Sequence, residues 1–156
     1  MATDSINSQQ PGLNQEQALQ YATRHPKLRG EIAEMAFLLK TARLGLCVSK
    51  PYGDSYSYDF VVDSGTRFWR VQVKSTHQPR GKGYSLTVQH FKSQGSPHYT
   101  PEEIDMLVGY VVPADAWYIL PLAAFLPRRQ LRLYPNGGRR GSGRFEAYKE
   151  AWHLLT

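Results

Sequence analysis

Apolar and polar residues follow two rhythms along this chain, and the switch between them predicts its elements. Between Lys27 and Leu44 the centre of the segment, Ile32-Ala33-Glu34-Met35-Ala36-Phe37-Leu38-Leu39, is apolar almost all round. Pro26 suits a first helical position, where its missing N–H costs nothing, and Gly45 stops the segment, so a helix is predicted from about Lys27 to Leu44. A helix this apolar is expected to be buried on most of its sides. Further upstream, Asn14 is placed to cap a short helix over Gln15–Tyr21, and the Gln-, Ser- and Asn-rich residues before it predict a frayed start. One domain is accordingly expected over residues 26–156, with residues 1–25 partly disordered or loosely helical.

From Leu46 the period shortens to two, the mark of strands. Strands are predicted at Leu46–Ser49, Tyr58–Asp63, Phe68–Thr76, around Tyr84, Leu86 and Val88, at Met106–Val112, at Trp117–Leu120 and, as a short edge, at Leu131–Tyr134. Ser64-Gly65-Thr66 reads as a hairpin turn, and Gln78–Gly83 as a basic, flexible loop. Thr100-Pro101-Glu102-Glu103 has the spacing of a capping box and predicts a helical turn. Phe145, Tyr148, Ala151, Trp152 and Leu155 return to helical spacing and predict an amphipathic C-terminal helix packed on the core.

The strand Phe68–Thr76 breaks its own pattern. Val71 and Val73 belong on its core face, while Arg70, Gln72 and Lys74 share the other face, where Thr or Val would be ordinary. The preceding strand carries Asp59 at its entrance, and Glu34 interrupts the apolar centre of the long helix. An unpaired carboxylate there is expensive, so Glu34 either pairs with a Lys or Arg or is aimed at a site. Glu31, next to Gly30, can face water more easily. If the two strands pair through the Ser64-Gly65 turn, with the helix beside them, Glu34, Asp59, Gln72 and Lys74 converge on one end of a sheet. Carboxylate and amide oxygens, with the Val73 carbonyl, are hard ligands suited to Mg²⁺, or to Mn²⁺. Such a cation activates water and neutralises charge on a phosphodiester, and Lys74 would orient that water or stabilise the transition state.

Charge sharpens this reading. The 156 residues carry a formal net charge of +6, which favours a polyanionic partner without separating DNA from RNA or an acidic membrane. No Asp or Glu occurs from Ala116 to Phe145, and Arg139, Arg140 and Arg144 sit there in a glycine-rich loop able to approach phosphates closely. Ser75, His77, Arg80 and Lys82, just beyond the unusual strand, are further candidates for nucleic-acid contact. His77 reads equally well as a loop histidine without a role. Asp105 reads either as another acid near the site or, the preferred reading, as a residue of a turn or helix end. The five histidines lack ligand spacing, and Cys47 has no second cysteine, which argues against a zinc site. Cys47 is expected to be buried, and with no membrane-length apolar run a cytoplasmic protein is expected.

Asp59 followed by Gln72-Val73-Lys74, with Gly30-Glu31-Ile32-Ala33-Glu34 on a preceding helix, resembles the PD-(D/E)xK nuclease superfamily. Gln in place of the second acid is similar to the branch of group I intron-encoded homing endonucleases. Pro51-Tyr52-Gly53-Asp54, Tyr58-Asp59, Trp117–Pro121 and Tyr148–Trp152 extend the likeness over roughly Lys27 to Leu155. The resemblance implies an α/β restriction-endonuclease-like αβββαβ core, a mixed sheet flanked by helices, and Mg²⁺-dependent cleavage of DNA. It matches Asp59 to the metal-binding acid, Gln72 to the second ligand, Lys74 to the catalytic lysine and Glu34 to the helix glutamate. A neutral Gln72 should hold metal more weakly than an acid. No separate recognition domain is evident; a homo-oligomer, dimer or tetramer, is one route to long-site specificity, and a less specific repair or junction-processing nuclease is the other reading. The alternatives are a catalytically silent nucleic-acid-binding protein with the nuclease fold and an interaction protein whose Gln72 and Lys74 merely solvate a sheet.

Overall fold

The hairpin on which the site depends forms as its turn residues require. β2 (Phe60–Asp63) and β3 (Phe68–Thr76) are antiparallel with Asp63 opposite Phe68. Gly65 adopts φ +82° between them, and its N–H is held by Asp63 Oδ1 at 2.7 Å. The computed structural model describes residues 24–90, 96–138 and 143–156, together with Asn14, Gln17, Gln20 and Tyr21.

β1 (Cys47–Ser49), β2, β3, β6 (Met106–Val111) and β7 (Ala116–Pro121) make a five-stranded sheet in the order β1-β2-β3-β6-β7. Only the β3–β6 pair is parallel, so the sheet is mixed. In the crossover between these two strands, the described residues form a hairpin, β4 (Pro79–Arg80) and β5 (Gly83–Thr87), and later a single turn at 101–103. β8 (Gln130–Leu133) pairs with β5 in a second, three-stranded sheet in which it is an edge, as its pattern predicts. The basic loop expected at Gln78–Gly83 is instead the tight β4–β5 hairpin, turned by Gly81 at φ +58°.

Period-two alternation sorts the core into two layers. Val71, Val73, Met106, Val108, Trp117 and Ile119 face α1 (Pro26–Arg43) and the C-terminal segment. Leu107, Val111, Tyr118 and Leu120 face the small sheet and the four-residue helix α2 (Leu122–Phe125). At Gly109 the layers meet so closely that a Cβ would lie 2.6 Å from a methyl of buried Leu86. Any side chain there would have to displace buried Leu86.

Three further expectations need correction. α1 is not buried on most sides: Ala33, Phe37 and Thr41 face inward, while Met35, Leu38 and Leu39 are exposed. The sheet covers one side of the helix only. Cys47 is exposed rather than buried, because β1 is the outer strand and turns Val48 inward. The C-terminal helix is replaced by two short 3₁₀ turns, Glu146–Tyr148 and Trp152–Leu155. Between them Lys149 bridges to Tyr118 and Glu150 takes a left-handed φ of 50°. The cap at Asn14 is present, its Oδ1 accepting the Gln17 N–H at 2.9 Å, although much of the helix expected after it lies outside the described residues.

Candidate active site

The site opens where β2 stops short of β3. Their pairing ends at Phe60 opposite Val71, and past that point only β6 accompanies β3, with Lys74 opposite Gly109. The N–H of Val73 therefore has no ladder partner on the β2 side. The Asp59 carboxylate takes it, Oδ2 accepting from Val73 N at 2.8 Å and from Gln72 Nε2 at 2.5 Å. Gln72 Nε2 also donates to the Val73 carbonyl at 3.2 Å. One amide thus bridges the Asp59 carboxylate and the Val73 carbonyl, two hard oxygens.

α1 supplies the opposite wall. Pro26, Arg29, Gly30, Ala33 and Glu34 fall at helical spacing on one face and line a cleft of about 540 Å³ with Asp59, Gln72, Val73 and Lys74. Ser75, His77 and Arg80 border the same cleft. Glu34 pairs with Lys50, Nζ to Oε2 at 2.6 Å, so of the two readings of this carboxylate the ion pair is present, at the edge of the cleft. Lys82 and Arg144 are exposed and do not line the cleft, and Arg139 and Arg140 lie outside the described residues. Asp105 does not line the cleft: it binds the Arg70 side chain and backbone N–H and accepts from Arg67.

Electrostatics mark Asp59 as unusual. Burial pushes its carboxyl from an ordinary 3.8 to about 6, against the pull of the Val73 N–H; Glu34 adds to the rise, while Lys74 and Lys50 oppose it. His77 is shifted the other way, its pKa lowered by burial and by Arg29, and its Nε2 is buried without a hydrogen-bond partner.

A family model described as PD-(D/E)XK endonuclease matches residues 24–155. The chain belongs to the PD-(D/E)XK endonuclease family. A solved structure titled as that of a bacterial homing endonuclease, I-Ssp6803I, is similar to this PD-(D/E)XK chain with a TM-score of 0.70 and 30% identity, over 83% of this chain and 90% of the other. No sequence matches among curated proteins. The fold and the homing-endonuclease-like branch expected from Asp59 and Gln72-Val73-Lys74 are therefore those observed.

Sequence reasoning missed several residues of the site. Arg29 was legible in principle, since it lies on the same helical face as Glu34. Lys50 had no local signal, being sixteen positions from its partner. Nor did His90 and Tyr99, which reach a second cavity of about 150 Å³ bordered by Asp59, Gln72 and Lys74.

Among the described residues no group of three or more His, Cys, Asp or Glu is placed to share a metal ion. The hard oxygens available to a divalent cation at this end of the sheet are of mixed kind: Asp59, the Val73 carbonyl, Gln72 Oε1 and Glu34. Two of these need rearrangement. The Gln72 amide presents nitrogen, not oxygen, to Asp59, and Glu34 is engaged by Lys50.

Proposed function

We propose that this chain is a divalent-metal-dependent endonuclease that hydrolyses DNA phosphodiester bonds, with Mg²⁺ as the working ion and Mn²⁺ as a substitute. The observation that carries the reading is the Asp59 carboxylate set against Val73 and Gln72 on the wall of a cleft shared with Glu34 and Lys74. Bound there, the cation would supply a more acidic water and neutralise charge developing on the phosphodiester.

The chain's own residues do the rest. Asp59 and the Val73 carbonyl would hold the ion, joined by Gln72 after a half-turn of its amide and by Glu34 after exchange of Lys50. Lys74 offers its ammonium to the attacking water or to the pentavalent phosphate. Arg29, Ser75, His77 and Arg80 line the route of the backbone and would contact phosphates, supported by the overall charge of +6. Lys82 and Arg144, exposed outside the cleft, would extend that surface, and Arg139 and Arg140 are proposed to contact DNA as well. Because one cleft cuts one strand, a dimer or tetramer of this chain is the proposed working form.

The neutral Gln72, with its nitrogen toward Asp59, supports the second reading, a DNA-binding protein that does not cut. Supercoiled, linear, single-stranded and branched DNA incubated with Mg²⁺ or Mn²⁺ separates the two. Cleavage by the wild type, reduced by about 10²–10⁴ in Lys74→Ala with folding intact, is the expected result. Salt-sensitive binding with no cleavage of any substrate would favour the silent protein.

A further inference from the structure

Lys74 carries its ammonium on four flexible methylenes, so where that charge sits depends on the groups around it. Asp59 attracts it strongly enough to feel its charge. On the side of the second cavity, Lys74 Nζ lies 6.0 Å from the centre of the Tyr99 ring, within the range at which an aromatic face attracts a cation. Tyr99 is 2% exposed, and the imidazole of His90 is stacked on it at 4.5 Å with the planes 19° apart.

The stack is fastened at its far side. Glu103 Oε1 lies 3.3 Å from His90 Nδ1 and accepts the Ser57 hydroxyl at 3.2 Å, while Oε2 accepts the Thr100 N–H at 2.9 Å. The capping box at Thr100–Glu103 thus fixes the turn that delivers Tyr99, and ties it to the loop preceding Asp59. Neither ring nitrogen of His90 makes a hydrogen bond of good geometry, although its side chain is only 5% exposed. A leucine would fill that volume without leaving buried nitrogens under-satisfied. What imidazole adds is a flat face against Tyr99.

We propose that Tyr99, backed by His90 and anchored through Glu103, is a positioning residue for Lys74: an aromatic platform that draws the ammonium away from Asp59 and keeps it poised in the cleft. The inference rests on the catalytic reading of Lys74, but its placement can be tested without cleavage. In wild-type protein the Lys74 ε-methylene protons, identified by their loss in Lys74→Ala, should resonate upfield of other lysines through the ring current of Tyr99. Tyr99→Phe should keep that position, and Tyr99→Leu should abolish it. His90→Phe should preserve it and His90→Leu weaken it, which gives a milder pair if Tyr99→Leu does not fold.

In the cleavage assay, Tyr99→Leu should lower kcat by about 10–100-fold with KM within about threefold, since displacing a reacting group by about 1 Å costs of that order. Tyr99→Phe should restore it. Lys74 signals that do not respond to Tyr99→Leu or His90→Leu in folded protein, or a Tyr99→Phe variant as impaired as Tyr99→Leu, would overturn the proposal. If the wild type cleaves nothing, the nuclease reading fails while the resonance positions still decide whether Tyr99 places Lys74.

Discussion

Asp59 carries a cost that its function would explain. Its carboxyl titrates near 6 in the fold against 3.8 ordinarily, so the folded chain binds a proton more tightly than the unfolded one. The stability contributed by protonation is therefore complete below about pH 4 and lost as pH rises through about 6, a difference of at most about 3 kcal/mol. Asp59→Asn keeps an oxygen for the Val73 and Gln72 N–H groups and removes the charge. It should melt several degrees higher than wild type at about pH 8, with the gap closing at about pH 4, and should not cleave. A variant less stable at both pH values would refute the burial argument. At limiting Mg²⁺, where the metal-free carboxyl must ionise before it binds the ion, wild-type kcat/KM should fall about tenfold per pH unit below about 6, and saturating Mg²⁺ should move that fall to lower pH. Gln72→Glu probes the other half of the centre. It sets a carboxylate in place of an amide that donates to Asp59 at 2.5 Å, so without metal it should lower the melting temperature. Mg²⁺ should restore that loss, and calorimetry should show binding about tenfold tighter or more, about 1.4 kcal/mol. Unchanged melting with and without Mg²⁺ would mean that no cation binds there. That Asp59, Gln72 and Lys74 would meet at one end of the sheet was legible, because Gln and Lys on a half-buried strand, with an acid at the entrance of its neighbour, violate the ordinary pattern. The orientation of the Gln72 amide, the Lys50–Glu34 pair and the His90–Tyr99 stack were not, because each depends on side chains brought together only by the sheet.

Elements were read best where one periodicity dominates over a long stretch. α1 runs from Pro26 to Arg43, within a residue of the ends that Pro26 and Gly45 announce. The strands on both sides of the core follow their alternation, down to Leu86, Leu131 and Leu133 in the small sheet. The C-terminal segment was misread for a physical reason. Phe145, Ala151, Trp152 and Leu155 are all buried as their apolar character demands, yet the backbone between them is claimed by β7 rather than by a helix. Glu150 makes that claim: its N–H donates to the Trp117 carbonyl at 2.7 Å, Oε1 accepts the Trp117 N–H at 2.9 Å and Oε2 accepts the Trp152 indole N–H at 2.8 Å. Helical spacing alone cannot reveal a carboxylate that competes for the backbone in this way. Glu150→Ala strands two of those donors and should destabilise the fold by about 2 kcal/mol, whereas Glu150→Gln, keeping one acceptor, should lose less. Chemical denaturation at constant slope measures both. Equal losses would show that hydrogen bonding at Trp117 and Trp152 is not what fixes the segment.

At the scale of the whole molecule, α1 has two jobs that its sequence could not separate. Its inner face packs Ala33 and Phe37 on the sheet and carries Glu34 to the cleft, which accounts for part of its apolar run. The remainder, Met35 at 58%, Leu38 at 38% and Leu39 at 55% exposure, forms a stripe at helical spacing on the outside. Burying such a stripe adds roughly 25 cal/mol for each Å² of apolar surface removed from water. A second copy of the chain is the partner that the proposed chemistry calls for, since two clefts related by symmetry address the two strands of one duplex. Sedimentation equilibrium should therefore find dimers or tetramers, and a Met35→Lys, Leu39→Lys double variant should shift them toward monomer without lowering the melting temperature of the monomer itself. With supercoiled substrate, the same variant should leave nicked circles where the wild type produces linear DNA. The variant separates association from chemistry, because neither position borders the cleft. Monomers at every concentration, or double-strand cleavage unaffected by the two lysines, would place the second cut on a sequential visit by a single chain.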